Sequence, residues 1–161
     1  MARLQLLLLF TLSIISHSFG QSKTKANNKL AGTWQLLEFA DWNETTSSWE
    51  YPYGKKPKGY FTYTKSGIVN LNICSETALK ISEDSAKNYN INLQHWINNN
   101  ALGYFGTYTI DYNKSIVTHH VKGGSMSWYI DTDQQRPFTF KGDTLIIGDN
   151  KTWKRVLVRV D

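Results

Sequence analysis

Cysteine is almost missing from this chain of 161 residues. Cys74 stands alone, so no disulfide can form within the chain and no thiolate cage can hold zinc. Only three prolines and eleven glycines are present, which excludes collagen-like and proline-rich classes. Charged residues amount to 19% and never gather into a long block of one sign. A membrane-spanning run is also missing: the longest apolar stretch covers about ten residues, against roughly 20 for a spanning helix. No internal repeat, low-complexity segment or linker interrupts Leu30–Asp161. The length is that of one domain, and at about 150 residues a compact fold buries roughly 68–70% of its unfolded surface.

Aromatic residues are what the chain has in plenty. Seven Phe, six Trp and nine Tyr make up 14% of it, too much for a disordered chain. The first twenty residues read as a signal peptide. Arg3 provides the positive start, Leu6–Phe10 with Leu12, Ile14 and Ile15 the apolar centre, and Ser18-Phe19-Gly20 the small residues before a cut at Gln21. Export, to the periplasm or the outside, is the implied destination. Residues 21–29 are polar and aperiodic, a flexible leader, and residues 30–161 form the domain. In an oxidising compartment the lone Cys74 reads as a half-buried thiol near a strand end.

The domain reads as β-structure. Strands are expected over Trp34–Ala40, Tyr60–Thr64, Ile68–Ile73, Phe105–Asp111, Ile116–Val121, Gln135–Phe140, Thr144–Ile147 and Trp153–Val160, with Met126–Asp131 a weaker ninth. Their β-branched and aromatic residues favour strands. Lys65-Ser66-Gly67, Tyr112-Asn113-Lys114-Ser115 and Lys141-Gly142-Asp143 supply tight turns. Such spacing predicts an antiparallel sandwich or barrel, not alternating α/β. One stretch differs: Ala86, Tyr89, Leu93, Trp96 and Ile97 fall at helical spacing between Ser82 and Asn98. Ser82 suits an N-cap, with Glu83 and Asp84 in the first turn. The expected architecture is all-β: a single antiparallel up-and-down barrel of about eight strands, with this one helix as lid or plug.

Four blocks in order add a resemblance. They are Leu30-Ala31-Gly32-Thr33-Trp34, then Tyr51-Pro52-Tyr53-Gly54 with Pro57–Thr64, then Tyr104–Asp111, then Val117-Thr118-His119-His120-Val121. Together they resemble the bacterial and fungal lipocalin-like domain family over nearly all of residues 30–160. The resemblance implies a calycin-type barrel with an interior cavity. It also implies that Trp34, behind Gly32, closes the barrel base under an arginine of the last strand, Arg155 or Arg159.

Strand parity nominates the cavity wall. Arg136, Phe138 and Phe140 share a face, which sets one guanidinium in an aromatic row. It either stacks at a barrel end with no ligand or anchors an anion or carbonyl inside an apolar pocket. His119 and His120 point to opposite faces and so cannot jointly hold a metal. One lies inside, and the mixed company of Ile116 and Thr118 favours His120. The expected ligand-binding set is Tyr108, His120, Trp128, Arg136 and Phe138. No catalytic residue, metal ligand or cofactor is assigned. Asp131 and Asp133 lie on one side of a strand, the arrangement of a solvated edge more than of an acid–base pair. No nucleophile elbow, phosphate loop or metalloprotease motif occurs.

The net charge of +5 and pI near 9.2 come from dispersed lysines such as Lys55, Lys56, Lys58 and Lys151, a pattern of solubility and not of nucleic-acid binding. Two functions of different class follow. The first is an exported module that holds a small apolar or amphiphilic molecule. The second is a barrel enzyme of isomerase or cyclase type that uses an interior His, Tyr or Arg. Two inward titratable groups close enough to share a proton would favour the second.

Overall fold

A computed structural model of the protein describes residues 28–78 and 100–161. The helix expected over Ser82–Asn98, the signal peptide and all but the end of the leader lie outside the described residues.

Among the described residues nine strands follow in chain order: β1 Gly32–Asn43, β2 Ser48–Glu50, β3 Lys58–Tyr63, β4 Ile68–Cys74, β5 Ala101–Asp111, β6 Ile116–Gly124, β7 Asp133–Lys141, β8 Thr144–Ile147 and β9 Trp153–Arg159. Every pairing is antiparallel, and β1 pairs with both β3 and β9, so eight strands close into a barrel. The three-residue β2 is an appendage that pairs with the end of β1 through Trp42 and Trp49. It escapes a periodicity reading because three residues hold too little alternation to register. Met126–Asp131 forms a single 3₁₀ turn over Ser127–Tyr129, not a strand.

Alternation builds the barrel as the sequence suggests. On β4, Val69, Leu71 and Ile73 are buried while Ile68, Asn70 and Asn72 face out. The β3–β4 turn works because Gly67 takes φ 90°, a region that side chains with a Cβ avoid. On β1 the pattern changes midway. Trp34 and Leu36 are buried, then Phe39 is buried too, although 36 and 39 differ by an odd number. The reason is a bulge: Leu36 faces Leu157, yet Glu38 faces the very next residue, Val156. One extra residue, Leu37, is accommodated, and the rest of the strand turns over. Phe39 thereby enters the barrel.

The two halves of the interior differ. Leu30, Trp34, Tyr63, Val69, Val117, Phe138, Leu145 and Leu157 fill one end. Trp34 donates from Nε1 to the Leu30 carbonyl (2.9 Å), and the Arg159 guanidinium lies over its ring at 4.2 Å. Arg159 also donates to the carbonyls of Ala31 and Lys29, and its neighbour Asp161 accepts from the Thr33 amide. A Cβ on Gly32 would collide with the Arg159 guanidinium, so glycine gives that side chain its path. Of the two arginines nominated for closure, Arg159 covers Trp34. Arg155 lies further along β9, over Phe39, because two turns of alternation carry it to the opposite half of the barrel.

Candidate functional site

Alternation on β6 decides between the two histidines. Val117, His119 and Val121 are buried, and His119 is only 1% exposed. His120 faces outward, where Nδ1 lies 2.6 Å from Asp133 and Nε2 lies 3.1 Å from the Thr109 hydroxyl. The choice of His120 as the inward residue is therefore corrected to His119. The flanking valines were the better guide, since an inward strand face is made of such residues. Asp131 pairs with Lys122 at 3.0 Å and Asp133 with His120, so these two acids each serve outer contacts and do not form an acid–base couple.

Beyond the filled end, the barrel holds a cavity of about 440 Å³. Apolar and aromatic side chains make most of its wall, including Phe39, Phe61, Leu71, Ile73, Leu102 and Ile147. Tyr104 and His119 bring polar atoms to it from β5 and β6, Arg136 from β7, Arg155 from β9 and Asp41 from beyond the β1 bulge. Tyr129 and Trp153 flank Arg136, each ring centroid 5.5 Å from its guanidinium carbon.

Of the five residues expected to bind ligand, Arg136 lines this cavity. Tyr108 and Phe138 are buried inside the barrel but belong to the filled end. The Tyr108 hydroxyl donates to the Thr64 carbonyl (2.6 Å) and accepts from Asn28 (2.8 Å), while Phe138 stacks edge-on with Phe140 and Tyr112. Trp128 sits on the 3₁₀ turn with 57% of its surface exposed, because the segment is a turn and not an inward strand. Sequence reading passes over Tyr104, places His119 on the outer face and assigns Arg155 to barrel closure instead of the cavity. Parity with Tyr108 on β5 would have found Tyr104.

His119 anchors a buried hydrogen-bonded row. Its Nε2 lies 2.9 Å from the Tyr63 hydroxyl and its Nδ1 lies 2.7 Å from the Tyr104 hydroxyl. Burial, followed by the nearby Arg136 charge and then His120, pushes the His119 pKa down to about 3. The ring is neutral at any ordinary pH, with one nitrogen donating and the other accepting. Burial raises the Tyr104 pKa to about 12, with the Arg136 charge and a hydrogen bond from Arg136 opposing the rise. Burial also holds Tyr63 well above the ordinary phenol value. Burial thus favours the uncharged form of all three side chains, and the row rests neutral.

The two cavity arginines are in unlike states. Arg155 donates to Asp41 (2.9 Å) and to the carbonyls of Ala40 and Lys154, and its guanidinium carbon lies 3.2 Å from the Phe39 ring centroid. Arg136 donates to the Gln134 side chain at 3.1 Å and reaches the Gln135 carbonyl at 3.4 Å. Among the described residues, no group of three or more His, Cys, Asp or Glu could hold a metal, and no helix is long and apolar enough to cross a membrane.

The closed eight-stranded antiparallel barrel, filled at one end and hollow at the other, is the architecture of a lipocalin-like domain. The family model described as a lipocalin-like domain matches residues 31–157, and the chain belongs to that family. No curated protein matches it.

Proposed function

We propose that the protein is an exported container that holds one small apolar or amphiphilic molecule in the open half of its barrel. The observation that supports this reading is the cavity itself. Its volume of about 440 Å³ lies within the range of roughly 300–1,000 Å³ usual for ligand sites. Its wall is mainly apolar, with a few polar groups converging from β5, β6, β7 and β9, the mixture that orients a ligand. The fixed protonation of His119 and Tyr104 suits holding more than acid–base turnover.

A fluorescent apolar probe should bind at one per chain, and native mass spectrometry of protein from its own host should reveal a co-purified small molecule. A flat probe titration together with an empty native mass would sink the reading. Export is tested separately: the protein recovered from the periplasm or medium should begin at Gln21. Recovery in the cytoplasm with residues 1–20 attached would end that part.

A further inference from the structure

Among the described residues, one cation at the cavity has no carboxylate partner. Three arginines lie among the described residues, and two have a carboxylate: Arg155 has Asp41 at 2.9 Å, and Arg159 has Asp161 at 3.5 Å. Lys154, also on β9, has Glu38 at 2.8 Å. Arg136 has no carboxylate within ion-pair distance among the described residues. Its protein partners are neutral: Gln134, the Gln135 carbonyl, Tyr104 and the faces of Tyr129 and Trp153. The two rings limit how far the guanidinium can turn, so its position at the cavity wall is preorganised.

We infer that the cavity takes an apolar molecule ending in a carboxylate, whose oxygens meet the Arg136 guanidinium and the Tyr104 hydroxyl. This rests on the container reading above and adds the chemical class of the ligand. A guanidinium presents parallel N–H donors that match the two oxygens of a carboxylate, and such charge-assisted bonds are about twice as strong as neutral ones. Among the described residues two guanidinium groups and one carboxylate, Asp41, line the cavity, so one added negative charge balances these groups.

Tyr104 supplies a second donor. With the His119 proton on Nδ1, the row runs in one direction: Tyr63 donates to Nε2, Nδ1 donates to the Tyr104 oxygen, and the Tyr104 proton points onward to the ligand. Because Tyr104 keeps its proton up to about pH 12, it donates and does not repel an anion. The apolar body of the ligand then lies along Phe61, Leu71, Ile73 and Leu102.

The test uses three fluorescent probes with the same alkyl chain and different ends: a carboxylate, its methyl ester and a primary amine. The intact protein should bind the carboxylate about 10- to 100-fold more tightly than the ester, the range for hydrogen bonds to a charged group. The amine should bind weakest of the three. Arg136→Met should erase the carboxylate preference, lowering carboxylate affinity far more than ester affinity, and Tyr104→Phe should reduce the preference by about tenfold, as loss of one charge-assisted bond implies. Equal affinity for carboxylate and ester in the unaltered protein overturns the inference and leaves the container reading in place, a result that needs no variant to fold. A carboxylate preference that survives in folded Arg136→Met overturns the assignment to Arg136. Binding of none of the probes, with an empty native mass, overturns the container reading and this inference together.

Discussion

Trp34 and His119 show how single residues set the properties of this barrel. The indole of Trp34 is almost wholly buried, tied to the Leu30 carbonyl and roofed by Arg159. Trp34→Ala should cost about 3–5 kcal/mol in a urea melt, as for other buried aromatic truncations. A loss below about 1 kcal/mol would mean that the base is closed by something else. His119 makes stability depend on pH in a defined direction. In the unfolded chain its pKa returns to about 6.5, whereas burial holds it near 3 in the fold. Between those values the unfolded state binds the extra proton, so stability is complete above about pH 6.5 and falls as pH drops toward 3. The total contribution is on the order of 5 kcal/mol. Urea midpoints at pH 4.5 and 7 should therefore differ by more in the unaltered protein than in His119→Gln. Equal differences would show that His119 is protonated in the folded protein.

Elements carry the next level of consequence, and the bulge in β1 is the most telling of them. By turning the strand over after Leu36, it sends Phe39 inward and brings Asp41 to Arg155. Asp41→Asn leaves a largely buried guanidinium without its counter-charge. Because Asp41 is itself partly exposed, solvent screening reduces the cost to about 1–3 kcal/mol, below that of a fully buried pair. Arg155→Met, which leaves only a partly solvated carboxylate behind, should cost less than Asp41→Asn in parallel denaturation curves. The reverse order would mean that Arg155 stabilises through its contacts with Phe39 and the carbonyls, not through Asp41. The bulge also explains what the sequence could and could not disclose. Strands that alternate strictly, such as β4 and β7, were legible, and so were the turns at Gly67 and Gly142 and the shared face of Arg136, Phe138 and Phe140. A one-residue bulge inverts parity without any signature in residue type, so Asp41 was out of reach. His119 is within reach of the sequence, since Val117 and Val121 mark the inward face of β6.

At the scale of the whole molecule, the barrel and its family were legible because they rest on many residues at once, and the cavity's location was not. Which end of a barrel is packed depends on side chains from every strand meeting across the interior. Tyr108 and Phe138 have the right faces for a ligand site and the wrong height. If a ligand occupies the open half, it must stabilise the entire closed sheet by mass action. At about 100 times its dissociation constant, an amphiphile should add about 2.7 kcal/mol, or roughly 5–10 °C in Tm for a domain of this size. Scanning calorimetry with and without the carboxylate probe measures this directly. An unchanged Tm at that concentration would mean that the probe does not bind the folded barrel in preference to the unfolded chain.

The seam between β1 and β9 has a consequence for the order of events in folding. Trp34 pairs with Arg159 and Asp41 with Trp153, so the strands that lock the cylinder come from opposite ends of the domain. Until β9 arrives, β1 and β8 each present an unpaired backbone edge, and the Trp34 ring has no arginine above it. Closure must bring together residues that are far apart along the chain, which places this protein among the slower two-state topologies, in the range of milliseconds to seconds. During that interval the half-built sheet is the species most exposed to association with its own copies. Refolding yield should thus fall with protein concentration far more steeply for a chain truncated before Trp153 than for the intact one.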